Sequence, residues 1–193
     1  NWLYKPLEWS GVSSKTLFEL KNVKRIQVTG NLMENAPEGE MMRLTVRNQD
    51  GTAPFSTVED VLIKNNVFKN SVNGTQVLGV DDIHPSQKMK RIKIVNNLFL
   101  GIETYFLRMA DGEDVEIANN TVFHGGNMIT AYGRPQTRFV LRDNIFPFNE
   151  YGFAGDNGVG AKNILAYMPG GVFRNNAVVR NNCGVGVCSQ NSV

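Results

Sequence analysis

Asparagine recurs in this chain as a doublet: Asn65-Asn66, Asn96-Asn97, Asn119-Asn120, Asn175-Asn176 and Asn181-Asn182. Asparagine tolerates the left-handed backbone region and bonds to neighbouring backbone groups, so a recurring doublet means a recurring bend of one kind. The flanking residues recur too. Six segments align without gaps: 26–33 (IQVTGNLM), 61–68 (VLIKNNVF), 92–99 (IKIVNNLF), 115–122 (VEIANNTV), 139–146 (FVLRDNIF) and 171–178 (GVFRNNAV). Their anchors are Asn31, Asn66, Asn97, Asn120, Asn144 and Asn176. Three positions before the anchor stand Val28, Ile63, Ile94, Ile117, Leu141 and Phe173; two positions after it stand Met33, Phe68, Phe99, Val122, Phe146 and Val178. Every one is apolar.

Each segment reads as a short strand, a bend and a second short strand, with apolar residues alternating ahead of the bend. The anchors lie 35, 31, 23, 24 and 32 residues apart. No helical pattern of adequate length lies between them, which excludes βαβ crossovers. Strands that recur without helices must stack on their own copies, so the expected architecture is all-β, a solenoid of about six coils. Inside it the asparagine amides would form a ladder, each bonding to the coil above or below.

This asparagine column, with aliphatic and Phe columns on either side, resembles the right-handed parallel β-helix superfamily typified by pectate lyases and polygalacturonases. The resemblance spans residues 16–180. It implies the fold and is nearly silent on activity, because many unrelated activities sit on such stacks. The blocks Leu17-Phe18-Glu19-Leu20-Lys21-Asn22 and Val46-Arg47-Asn48-Gln49-Asp50-Gly51-Thr52 are similar to uncharacterised secreted bacterial β-helix proteins. That likeness implies a secreted or extracellular compartment. One domain over residues 1–193 is expected: a capping segment at 1–15, coils over 16–180 and a tail at 181–193.

Composition narrows the function classes. Hydrophobic residues make up 41% of the chain and charged residues 20%, enough apolar surface for a core. Twenty basic and 18 acidic side chains leave a formal charge of +2, too even for a protein that neutralises many phosphates, so nucleic acid is not an expected partner. No apolar run reaches the ~20 residues of a membrane span. The chain opens Asn1-Trp2 with no signal-like stretch, the expectation being a processed form or a fragment.

A second set of strand-like runs lies between the asparagine segments, at 17–22, 42–49, 75–82, 105–110 and 128–132. Aligned by the apolar pairs Phe18/Leu20, Leu44/Val46, Leu78/Val80, Leu107/Met109 and Ile129/Ala131, they leave two outward columns. One is Glu19, Thr45, Gly79, Arg108, Thr130; the other is Lys21, Arg47, Asp81, Ala110, Tyr132. In the third run Val77/Gly79 is an equally allowed inward pair. Lys21, Arg47, Asp81 and Arg108 then form a patch of mixed charge, with Asp82 and His84 beyond the strand end. Segments 48–58 and 82–91 read as loops walling it. Such a patch is either a groove for an extended polymer or a ladder of exposed ion pairs.

Several constellations compete. Asp81, Asp82 and His84 carry the residue types for acid–base or ion chemistry, while Asp-Asp followed by His84-Pro85 is also common strand-ending turn chemistry. A match of Asp81-Asp82, His124-Gly125-Gly126 and Arg91-Ile92-Lys93 to polygalacturonase signatures fails, because the order is wrong and the Asn-Thr-Asp signature is absent. A lyase of the pectate type needs a carboxylate cluster for Ca²⁺ and an Arg or Lys base. Glu19, Asp81 and Asp82 have the chemistry for the ion, and Arg47 or Arg108 for the base. Two histidines, His84 and His124, exclude a three-His zinc site. Cys183 and Cys188 suit a local disulfide in a secreted chain better than a metal.

The expected function is binding, with or without cleavage, of an extended and acidic polysaccharide. Arg47, Asp81 and Asp82 are the candidate reacting groups. Glu19, Lys21, His84, Arg108 and Tyr132 are the candidate binding groups, with Arg47 the arginine left without a carboxylate partner. The competing expectation is a non-catalytic structural or adhesion module of a larger or oligomeric extracellular protein, associating through uncapped ends. Trp2, Tyr4 and Trp9 are expected to lie across the first coil.

Overall fold

The computed structural model describes residues 1–9, 11–147 and 150–178. It is all-β with one short helix. In chain order the first nine strands are β1 (Trp2–Tyr4), β2 (Thr16–Leu20), β3 (Val23–Thr29), β4 (Leu32–Thr45), β5 (Val58–Lys64), β6 (Val67–Leu78), β7 (Lys90–Val95), β8 (Leu98–Ile102) and β9 (Leu107–Ala110). There follow β10 (Glu113–Ala118), β11 (Thr121–His124), β12 (Ile129–Ala131), β13 (Val140–Arg142), β14 (Ile145–Phe146), β15 (Phe153–Gly155) and β16 (Gly158–Val159). Helix α1 (Ala161–Tyr167), β17 (Val172–Arg174) and β18 (Ala177–Val178) complete the described chain.

The strands form two sheets. A six-stranded sheet runs β17-β13-β10-β7-β5-β3, and a 12-stranded sheet gathers the rest. Among the described residues every strand pairing is parallel except the β15–β16 ladder, which is antiparallel. In the six-stranded sheet equivalent residues of the sequence repeat face one another, as in Val28↔Ile63, Ile63↔Ile94, Ile94↔Ile117 and Ile117↔Leu141. The twelve apolar positions flanking the anchors are buried except the last pair, Phe173 and Val178, which are half-buried. Phe68 and Phe99 stack with ring centroids 4.5 Å apart, and Phe106 meets Phe99 edge-on at 4.9 Å.

The asparagines form the ladder that their spacing implies. Asn66 Nδ2 donates to Asn97 Oδ1 at 3.0 Å, Asn97 Nδ2 to Asn120 Oδ1 at 3.0 Å, and Asn120 Nδ2 to Asn144 Oδ1 at 3.0 Å. Each Oδ1 also accepts the backbone N–H of the preceding asparagine, and Nδ2 reaches back to carbonyls such as Ile63 O. The partner before each anchor takes the left-handed bend, with φ of 58° at Asn65, 53° at Asn96, 55° at Asn119 and 56° at Asp143.

Three expectations are corrected. Trp2–Tyr4 do not lie across the first coil. They form β1, a strand in register with β4, with Trp2 opposite Leu32, and Asn1 Nδ2 donates to Asn31 Oδ1 at 3.0 Å. Asn1-Trp2-Leu3 simply repeats the pattern of Asn31-Leu32-Met33, which leaves Trp2 60% and Tyr4 46% exposed and stacked on each other.

The second set of strands is shifted from the alignment by apolar pairs. Phe18 and Leu20 face Met42 and Leu44, which in turn face Thr75 and Val77. The run from Met41 to Val46 carries apolar residues at adjacent positions, so alternation alone fits two registers. Gly79 is not an outward column residue either: a Cβ there would stand 2.2 Å from Asp111 O, so strand and loop approach too closely for any side chain. The true outward column is Glu19, Arg43, Gln76, Arg108, Thr130. Finally, α1 was not visible as a periodicity, since its seven residues span under two turns. The tail with Cys183 and Cys188 lies outside the described residues.

Candidate functional site

The outward column crosses β2, β4, β6, β9 and β12, with neighbouring side chains about 4.8 Å apart as parallel pairing requires. Alternation turns these residues away from the core while Leu20, Leu44, Val77, Met109 and Ala131, one position on, point into it. Arg43 Nη2 lies 2.7 Å from Glu40 Oε2, and Tyr105 OH donates to Glu40 Oε1 at 3.3 Å. Gln76 Nε2 donates to Tyr132 OH at 3.2 Å. The Arg108 guanidinium carbon sits 4.6 Å above the centre of the Tyr132 ring, within reach of a cation–π attraction. At the near end Glu19 accepts from Thr45 Oγ1 at 3.4 Å and lies 3.6 Å from Lys21 Nζ.

Burial pushes the Tyr105 phenol up to about 12, and the neighbouring Glu40 carboxylate adds to the shift. The shift favours the protonated phenol that donates to Glu40. Arg43 is occupied by Glu40. Arg108, by contrast, is exposed and has no ion pair among the described residues. Glu40, Arg43, Gln76 and Tyr105 were missed from the sequence because the misaligned register placed Thr45 and Gly79 where Arg43 and Gln76 stand.

The remaining expected residues form a separate cluster where β4 and β6 run into loops. Arg47 pairs with Asp82 and lies 3.8 Å from Asp81 Oδ2. It is thus not an arginine without a carboxylate partner, whereas Arg108 has none among the described residues. Asp81 is buried and accepts the backbone N–H groups of Asn48 at 2.7 Å, Ile83 at 2.8 Å and His84 at 2.8 Å. Burial alone would raise its pKa, yet the N–H groups of His84, Asn48 and Ile83 outweigh it and hold the carboxyl below the ordinary range. Its lone pairs are committed to closing the turn. The His84 ring packs beside Gly51, and the two loops bond to each other through Asn48 Nδ2 to Pro85 O at 2.7 Å and Gln87 N to Ser56 O at 3.0 Å. Among the described residues no group of three or more His, Cys, Asp or Glu side chains is placed to hold a metal ion, so Glu19, Asp81 and Asp82 form no such group.

His124 is buried in β11 with Phe146 edge-on at 6.0 Å. Burial drives its pKa from the ordinary 6.5 down to about 4, partly opposed by hydrogen bonds with the Thr104 and Gly126 backbone. Between those values the unfolded chain binds the proton and the folded chain does not, so stability falls as pH is lowered. Denaturant melts from about pH 6.5 to about pH 5 are expected to lose on the order of 1 kcal/mol per pH unit, and His124→Gln to flatten that slope. An unchanged slope in the variant would remove His124 as its cause.

No family model matches the chain, and neither the curated proteins nor the solved structures searched contain a match. No helix among the described residues is long and apolar enough to cross a membrane.

Proposed function

We propose that the chain is an extracellular right-handed parallel β-helix that binds an extended acidic polysaccharide along the outward column, without cleaving it. The observation that carries the reading is Arg108, an exposed guanidinium with no carboxylate partner among the described residues, packed over Tyr132 in a straight row of polar side chains. The planar fork of arginine matches both oxygens of a sugar carboxylate, and an adjacent aromatic edge suits a sugar ring. The solenoid reading draws support from the parallel registers and the asparagine ladder. Binding is favoured over cleavage because Asp81 is committed to its turn and Arg47 is paired with Asp82 and Asp81.

Titration with uronic-acid oligomers is expected to show binding that Arg108→Ala weakens at least about tenfold with the melting temperature unchanged. No absorbance of unsaturated uronate should develop. Equal binding by the variant would remove the face from consideration, and growth of that absorbance would replace binding by lyase chemistry.

The reading as a structural or adhesion module draws on the opposite face. There Arg91 bonds to Glu59 and Asp60, and Arg138 to Glu113 and Asp114, so these charges are satisfied within the sheet. Indifference to every uronic-acid polymer would favour it.

A further inference from the structure

A polymer lying along the outward column crosses a strand about every 4.8 Å, so each rung selects the part of the polymer above it. The rungs differ in charge. At β2, Glu19 lies 3.6 Å from Lys21 Nζ. At β4, Arg43 gives Nε and Nη2 to the same Glu40 oxygen at 2.9 Å and 2.7 Å. At β6 stands Gln76, at β9 the exposed Arg108, at β12 Thr130 and at β15 Ala154. Arg108 is thus a cation with no ion pair among the described residues, set between two rungs that carry no charge.

Gln76 decides what lies next to a carboxylate held there. Its Nε2 donates at 3.2 Å to the hydroxyl of Tyr132, whose ring carries Arg108. Its Oε1 is covered and has no hydrogen-bond partner among the described residues. A covered acceptor ordinarily has a partner, and what this one lacks is a donor. Gln76 is half-buried and its terminal torsion turns within a broad well, so Oε1 can be presented to a ligand. A hydroxyl or an acetamido N–H supplies the donor, whereas an ionised carboxylate has acceptors only. A carboxylate over this rung would also find no free cation beside it, since Arg43 is held by Glu40.

Resting on the polysaccharide reading of this face, we propose that the column selects a polymer whose carboxylate-bearing units alternate with neutral ones. The neutral units carry hydroxyl or acetamido groups. Arg108 holds the carboxylate, and Gln76 sets the selection by taking a donor from the neutral neighbour. A polymer charged on every unit sets its next carboxylate against Gln76 Oε1 or turns it to solvent. In the first case acceptor meets acceptor. In the second a further negative charge stands near Glu40 and Glu19, whose cations Arg43 and Lys21 are already engaged.

The test is calorimetric titration of the full chain with two hexamers, one of glucuronate alone and one alternating glucuronate with N-acetylglucosamine. The alternating hexamer is expected to bind at least about tenfold more tightly. Gln76→Lys puts a cation on the neutral rung and should reverse the order, with the melting temperature reporting that the fold is kept. Gln76→Glu keeps the shape of the side chain and adds a negative charge. It should widen the gap between the hexamers, and it decides the matter if the lysine variant fails to fold. Equal affinity for the two hexamers, or a preference that the folded Gln76 variants leave untouched, would overturn the selection while acidic binding at Arg108 stands. Failure of both hexamers to bind, or binding that Arg108→Ala leaves unchanged, would remove the polysaccharide reading and the selection with it.

Discussion

Replacing Asn97 by leucine will cost about 3–5 kcal/mol of folding stability. The side chain makes bonds on both sides of its rung. Its Oδ1 accepts from Asn66 N and Nδ2, and its Nδ2 donates to Asn120 Oδ1, Ile63 O and Val95 O. Leucine fills much of the volume but leaves the Asn66 N–H and the Ile63 carbonyl buried without these partners, and each such loss costs about 1–3 kcal/mol. Water cannot compensate, because Asn66 and Asn97 are 1% and 3% exposed. Chemical denaturation is the measurement, with Lys88→Ala as a surface control expected within about 0.5 kcal/mol. Similar losses at both positions would contradict the ladder.

Truncating Phe99 to alanine will cost about as much, roughly 3–5 kcal/mol, by a different route. Its ring is fully buried, stacked on Phe68 at 4.5 Å and edge-on to Phe106 at 4.9 Å. Neighbours held in parallel strands on both sides cannot collapse inward without breaking backbone pairing, so most of the cavity will persist. Phe123, on the next strand of the same sheet, is 47% exposed, and Phe123→Ala should cost less than about 1 kcal/mol. Thermal melts of the two variants side by side separate the cases, and a mild effect at Phe99 would refute its place in the core.

The asparagine column and its apolar flanks were legible in the sequence because one offset governs all six segments. Each ladder rung must meet its neighbour at a fixed height, which leaves no freedom in spacing at the bend. The other strands carry no such anchor. β4 runs unbroken over Leu32–Thr45 and takes a register shift between Ala36 and Glu40, so counting from the bend loses its meaning there. Met41, Met42, Leu44 and Val46 are all fully buried, and both parities of the strand therefore read as core. Arg43 was hidden by this, and with it the alignment of Gln76 beneath Arg108.

Arg47, Asp81 and Asp82 illustrate a second limit. Their proximity was legible, but which of them would be spent on the other two depended on three backbone N–H groups in a turn that no pattern specifies. The N-terminal segment shows the reverse. Asn1-Trp2-Leu3 carried the repeat, and the reading of Trp2 as a cap gave aromatic character more weight than the asparagine beside it.

The asparagine ladder also has a direction. Nδ2 donates from Asn1 to Asn31, Asn66, Asn97, Asn120, Asn144 and Asn176 in turn, always toward the later rung. The amide dipoles therefore add along the stack, and each bond polarises the next, as in a chain of hydrogen-bonded amides. A central rung is polarised from both sides and an end rung from one. Equal substitutions should accordingly hurt most in the middle and fade toward Asn1, so that the column behaves as one cooperative conductor of polarity through the core rather than as a set of independent clasps.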